Sequence, residues 1–352
     1  MGKLAVYKYF SFMFLVITIL ISVFTLFGLF GGNTNPVHST AMAMLVYVLP
    51  YFVVGNVVML IFWLIRRKWH WCVIPALTIL CCIPYVRTFY QTGLFNSGNK
   101  SKLGLKIATY NVAMFGREIS GFKAEDILSE MKKQQVDILC MQEYMEKSGD
   151  KDNSKSYKEY FNYMAMGRND MVIFSRHPIK KSEKIDFGPY TNNSAMWADI
   201  DINGKIVRVF NVHLETTGIN RTLKKIAKAE LQGSRFENNA IIRAIYGNYL
   251  MGMIVRAGQA NMVAREMHAS EAPIILCGDF NDVPYSYVYN TMKGDLVDGF
   301  KECGEGFMYT YRAKKKVRID YIFHDESMTG EDYYKTEISY SDHYPVFMKL
   351  SL

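Results

Sequence analysis

Over roughly the first hundred positions the apolar residues come in unbroken runs, and after position 104 they come in short bursts separated by polar stretches. Tyr9–Phe30 and Ala41–Ile65 are almost wholly apolar and aromatic. Each is long enough to cross a hydrocarbon core of about 30 Å, and neither carries the polar face of a soluble surface helix. Both are expected to be transmembrane helices. The sequence FGLFGGNTN lacks a small-residue cleavage pattern, so the first run is read as retained. A third apolar stretch, 70–86, is shorter and contains Pro75 and Pro84, so it spans, kinks or lies at the interface.

Past a polar linker at 95–104, the bursts have the length and residue types of strands, and they alternate with helical patterns. KIATYNV, VDILCMQEY, MVIFS, AMWADIDI, KIVRVFNVHLE, PIILCGD, VRIDYIF and YPVFMKL read as strands. GFKAEDILSEMKKQQ reads as an amphipathic helix with Ile127, Leu128 and Met131 on one face. The stretch from Asn220 to His268 reads as two helices broken near QGSRFENN. Lys147–Glu159 reads as a charged surface loop, and RAKKKVR, Arg312–Arg318, as a solvated basic one. The expected organisation is a membrane region at 1–94, the linker, and a mixed α and β domain at 105–352.

Charge sharpens this division. Residues 1–100 hold seven Lys and Arg and no Asp or Glu, which leaves 34 basic and 33 acidic residues in the rest. The basic pI of the whole chain therefore belongs to the membrane region, and the domain has no polyanion-binding bias in its total charge. Lys3, Lys8 and the RRK at 66–68 place the N-terminus and the second loop in the cytoplasm by the positive-inside rule. Three spans would then put the domain on the non-cytoplasmic side. The six cysteines form no CxxC pair and read as buried thiols.

Six of the strands share an unusual ending: an apolar run closes on an acid, amide or imidazole. These are Asn111, Glu143, His213, Asp279 with Asn281, Asp320, and Asp342 with His343. One such ending is a turn; six suggest a single site at a common sheet edge, where α/β proteins place ligands. Carboxylates and amides without thiolates suit a hard divalent cation, Mg²⁺ or Mn²⁺, which takes one or two carboxylates and substrate phosphate. An imidazole paired with an aspartate can move a proton or stabilise negative charge.

In order, TYNV, DILCMQE, FNVHLE, CGDFND, RIDYI and SDHYPV resemble the successive signatures of the endonuclease/exonuclease/phosphatase superfamily, the fold of DNase I and the neutral sphingomyelinases. The resemblance covers about Lys106 to Leu352. It implies an α+β fold, a four-layer α/β/β/α sandwich, preceded here by two or three transmembrane helices. It also implies a metal-dependent hydrolase of phosphodiester bonds. Glu143 would be the principal metal ligand, with Asn111 at the metal orienting its water or a phosphate oxygen, and Asp342 a further metal ligand or a steering carboxylate. Asp279 would position or deprotonate the attacking water and Asn281 would hold a phosphate oxygen. Asp320 would orient His343 beside the scissile phosphate, while His213 would bind phosphate or protonate the leaving oxygen.

Departures from the family's branches narrow the substrate. NVHL stands where apurinic endonucleases have an NxYxP-like stretch, and KKKVRIDY where inositol polyphosphate 5-phosphatases have PxWxDR. A DNase-like or sphingomyelinase-like enzyme remains, with a nucleic acid or a phospholipid headgroup as substrate and the lipid bilayer as partner. The alternative is a membrane-tethered binding protein that has kept the fold and lost catalysis.

Overall fold

The computed structural model describes residues 3–93, 104–116, 124–148, 151–168, 170–189, 191–232, 238–312, 316–338 and 340–352. Most of the expected linker at 95–104 lies outside them. The chain divides into two units, one formed by Met1–Thr88 with Pro284–Asn290 and the other by the remainder.

The first unit is helical. α1 (Lys3–Gly31) and α2 (Thr40–Ile65) each contain a stretch of 26 residues long and apolar enough to cross a membrane. Their outward surface is apolar: Phe30, Tyr51 and Ile65 are exposed. The few polar groups turn inward and satisfy one another. Ser22 donates to Asn56 Oδ1 and Asn56 Nδ2 to Thr25 Oγ1, both at 2.7 Å, and Trp63 Nε1 donates to Thr18 Oγ1 at 2.9 Å. Inward pairing of this kind is what helices in hydrocarbon require. α3 (Trp69–Cys81) stops short of the expected 70–86, because Pro84 is tolerated only at the start of a new turn, Ile83–Val86. Its 13 residues rise only about 20 Å.

The second unit contains two six-stranded sheets. In chain order the strands are β1 (Leu105–Asn111), β2 (Ile138–Gln142), β3 (Tyr163–Met166), β4 (Val172–Ser175), β5 (Ile179–Ile185), β6 (Ser194–Ile202), β7 (Lys205–His213), β8 (Ile274–Asp279), β9 (Val297–Asp298), β10 (Asp320–His324), β11 (Thr329–Lys335) and β12 (Val346–Ser351). One sheet has the order β11-β12-β1-β2-β4-β3 and the other β9-β10-β8-β7-β6-β5. Ile107, Cys140, Ile173 and Met348 of the first meet Ala198, Val209, Cys277 and Ile322 of the second in one buried core between the sheets.

On its other face the first sheet is covered by α4 (Ala124–Lys133) and α5 (Ser154–Phe161), whose Ile127, Leu128, Met131, Tyr157 and Phe161 pack on Ala108, Tyr110, Leu139 and Met141. α6 (Ile219–Leu231) and α7 (Asn238–His268) follow β7, and α7 buries Met253, Ala257, Ala260, Val263 and Met267. This is the α/β/β/α sandwich. α5 corrects the reading of Lys147–Glu159 as a loop: Tyr157 and Phe161, one helical turn apart, give a polar stretch a buried face.

Arg318 corrects the solvated reading of RAKKKVR. It is fully buried, donates from Nη1 to Asp298 Oδ2 at 2.9 Å, and lies over the rings of Phe300, Tyr321 and Tyr333. The pair fixes the chain two residues before Asp320. Removing one partner strands a buried charge, so Asp298→Ala is expected to cost about 3–5 kcal/mol in urea unfolding. A loss below about 1 kcal/mol would show the pair to be dispensable.

Candidate active site

Period-two alternation and strand register build the site. Residues 107, 109 and 111 of β1, 209, 211 and 213 of β7, and 275, 277 and 279 of β8 fall on one face of their strands, and the lower members of each set line the space between the sheets. His213 pairs in register with Asp279, and Asp279 with Asp320, so these three stand side by side at the end of the second sheet. Asn111 ends the facing strand of the first sheet opposite Gln142, and the chain then turns at Glu143, whose φ is +52°.

The centre of the arrangement is one atom, Asp279 Oδ2. Asn111 Nδ2 donates to it at 3.1 Å and to Glu143 Oε1 at 3.2 Å. His343 Nε2 lies 3.7 Å and His213 Nε2 3.8 Å from the same oxygen, and His213 Nε2 is 3.9 Å from Glu143 Oε1. The other carboxylate oxygen of Asp279 accepts the Asn281 N–H at 2.8 Å. Asn281, at φ +51°, donates through its side chain to Leu214 O at 2.9 Å, which ties the loop after β8 to the loop after β7. His343 Nδ1 bonds Asp320 Oδ2 at 2.9 Å.

Seven of the eight residues singled out in the sequence are joined by this network. The eighth, Asp342, stands with His343 in the turn before β12, the placement that lets neighbours face one site. That turn is held by Ser341, which donates to Asn111 O at 2.8 Å. The half-exposed carboxylate of Asp342 accepts from Ser341 at 3.4 Å, and its charge acts on the His343 ring. Asn111 directs its amide oxygen to the Ala113 N–H, so toward the carboxylates it acts as a donor.

Burial and charge divide the two imidazoles. For His343 burial alone would favour the neutral ring, but the carboxylates of Asp320 and Asp279 outweigh it and carry the pKa up to about 10. His213 goes the other way: burial holds it below the ordinary imidazole range against the pull of Asp279. Burial, then the charge of Asp320, raises the Asp279 carboxyl. The site thus pairs an imidazolium with a neutral imidazole whose Nε2 is buried and has no hydrogen-bond partner.

Asp320→Asn removes the anion at Nδ1, so the His343 pKa is expected to fall, by about one to three units. Imidazole NMR of the metal-free protein measures this. Because the folded pKa is raised, the stabilisation it carries is complete below about 6.5 and is lost as pH rises through about 10. The variant should lack that pH dependence, and an unchanged titration would contradict the pairing.

The arrangement fits a divalent cation. Three carboxylates, Glu143, Asp279 and Asp320, converge on the site and the buried His213 Nε2 is unpaired, while no thiol takes part. Donor atoms of Asp279, Asp320 and His343 also lie within 4.8 Å of one another. Since His343 Nδ1 is already bound to Asp320, the carboxylate of Glu143, one-third exposed, is the more open ligand.

Several residues at the site were not foreseen. Gln142 donates to Asn211 Oδ1 at 2.7 Å and joins the two sheets below the site. Asp170, before β4, has its carboxyl pushed up to about 7 by burial and then by the charge of Glu143. Arg256 and Gln259 of α7 hold the loop after His213. Gln142 and Asn211 lie inside the motifs DILCMQE and FNVHLE, where polar residues at buried strand positions were the available signal.

The model of the endonuclease/exonuclease/phosphatase family matches residues 108–343, and the chain belongs to that family. Residues 11–89 match a domain of unknown function. No curated protein matches the chain. Among solved structures, a humanized D. rerio TDP2 aligns over 71% of this chain and 99% of its own, with TM-score 0.54 and 18% identity. An endonuclease/exonuclease/phosphatase from Bacteroides vulgatus aligns over 71% and 100% (TM-score 0.52, 18% identity), and the human Nocturnin catalytic domain with bound sulfate over 70% and 94% (0.50, 16%). At these identities the likeness is one of fold.

Proposed function

We propose that the chain is a membrane-anchored, divalent-metal-dependent hydrolase of phosphodiester bonds. The observation that supports this reading best is the convergence of Asn111, Glu143, His213, Asn281 and His343 around the carboxylates of Asp279 and Asp320. Glu143, with Asn111 and Asp342 as further candidates, would hold Mg²⁺ or Mn²⁺, which supplies positive charge against the phosphate oxygens when bound.

The protein's own groups perform the rest. Asp279, oriented by donors from Asn111 and Asn281, takes a proton from the attacking water as the new P–O bond forms. His343, charged and fixed by Asp320, faces the negative charge that develops on the phosphoryl oxygens. His213, neutral, binds the phosphate through Nε2, while Asn281 holds a non-bridging oxygen. The ester P–O bond breaks and the departing oxygen takes the proton of His343 Nε2, which leaves that imidazole neutral while Asp279 holds the proton of the water.

Anchoring rests on α1 and α2, with their exposed apolar surface and internally paired polar groups. The domain would be non-cytoplasmic if the segment after Arg66-Arg67-Lys68 completes a third crossing, which a reporter fused after Leu352 decides. The substrate is a nucleic acid or a phospholipid headgroup. Competition among DNA, RNA, sphingomyelin and phosphoinositides with Mg²⁺ present tests this. Cleavage of none of them, with a simple aryl phosphodiester also left intact, would contradict the proposed function.

A further inference from the structure

α6 and α7 form a paired helical insertion between His213 and β8, and the two halves of α7 differ. From Met253 on, one face is buried, and it carries Arg256 and Gln259 to the catalytic loops. Arg256 donates from Nη1 to Glu215 O at 2.9 Å and from Nε to Asp282 Oδ2 at 3.2 Å, and Gln259 accepts the Glu215 N–H at 2.7 Å. The preceding half, NNAIIRAIYGNYLMG, has one charged residue, Arg243. Yet three of its large side chains face outward: Ile242 is 63% exposed, Tyr246 53% and Met251 60%, and Leu231 at the end of α6 is 89% exposed.

An apolar, aromatic helix of this kind in water needs a cover. Its flank is basic. α6 has four Lys and Arg against one Glu, and Lys225, Lys228 and Arg243 are exposed. Apolar and tyrosine side chains beside lysines are the chemistry of a helix lying in the interface of an anionic bilayer. The same chain holds two helices long and apolar enough to bring such a bilayer within reach.

We infer that the N-terminal half of α7, with the end of α6, docks on the surface of an anionic lipid bilayer. This inference rests on the membrane-anchored reading given above. Tyr246 is ten residues from Arg256, or about 15 Å along the helix axis, so the docked stretch lies close to the loops that carry His213 and Asn281. Arg256 then acts as a positioning residue that links the docked helix to the site.

The test uses the full chain, with Cys81→Ser as background, in nanodiscs of phosphatidylcholine and phosphatidylglycerol. An environment-sensitive fluorophore is placed by Tyr246→Cys in α7, by Tyr51→Cys in α2 and by Lys205→Cys at an exposed strand end, with nitroxide-labelled lipid as quencher. The label at 246 is expected to lose about half or more of its emission, and to lose less in phosphatidylcholine alone, while the label at 205 is unaffected. Quenching at 51 without quenching at 246 overturns the docking and leaves the anchor standing. Absence of quenching at 51 overturns the anchor itself. A disulfide between two copies at 246, with no quenching by lipid, assigns the surface to self-association and equally overturns the docking.

Discussion

Replacing His343 or Asp279 with alanine is expected to lower kcat by about a hundredfold or more, the usual cost of losing a proton-transfer or charge-stabilising group. The two substitutions act on one network, since His343 Nε2 and the shared oxygen Asp279 Oδ2 are 3.7 Å apart. Their effects should therefore not add: once either is gone the double variant loses little more. Asp279→Ala also strips Asn111 of an acceptor and His343 of a counter-charge, so it is expected to be the more damaging of the two. Steady-state kinetics on an aryl phosphodiester measures both. Near wild-type turnover in either variant would remove that residue from the reaction.

Gly278→Ala is expected to be as severe for a different reason. Gly278 has φ +143°, and a Cβ there would stand 2.0 Å from the carbonyl oxygen of Val212 on the neighbouring strand. Backbone strain and overpacking together imply a loss of about 3 kcal/mol or more. The clash falls between the residue before Asp279 and the residue before His213, which register places side by side. If the strands part there, the side chains of Asp279 and His213 separate, and kcat should fall even in molecules that remain folded. Urea unfolding with kinetics on the folded fraction checks this, and unchanged stability would show that the strands yield without cost.

How much of this was legible in the sequence follows from burial. Strands covered on both faces, such as IILCGD and IATYN, are apolar nearly throughout and stop abruptly on polar residues, so both the strands and the candidate residues at their ends could be read. The edge strands could not. β5 is IKKSEKI, with Lys180, Lys181, Glu183 and Lys184 exposed, and β11 is TGEDYYK, and such charge is how sheets protect their edges from further pairing. α5 was missed because its buried face consists of two aromatics among lysines and serines.

Within the site, the placement of polar residues at strand ends was visible, and the contacts they make across the fold were not. Nothing in the spacing of Asn111 and Asp279, 168 positions apart, says that they share a hydrogen bond. Arg256 reads as one more basic residue on a helix until Asp282 and Glu215 are found against it. The same holds for Arg318, which follows the exposed Lys316 in sequence and whose neighbours in space are Asp298 and three aromatic rings.

These side chains, gathered around Asp279, are proposed to hydrolyse a phosphodiester with the help of a divalent ion. The direct measurement is turnover of bis(p-nitrophenyl) phosphate by the purified full chain in Mg²⁺ or Mn²⁺, before and after EDTA. The expected result is hydrolysis that EDTA abolishes and added metal restores. Turnover that survives chelation unchanged, or no turnover with either metal, would contradict it.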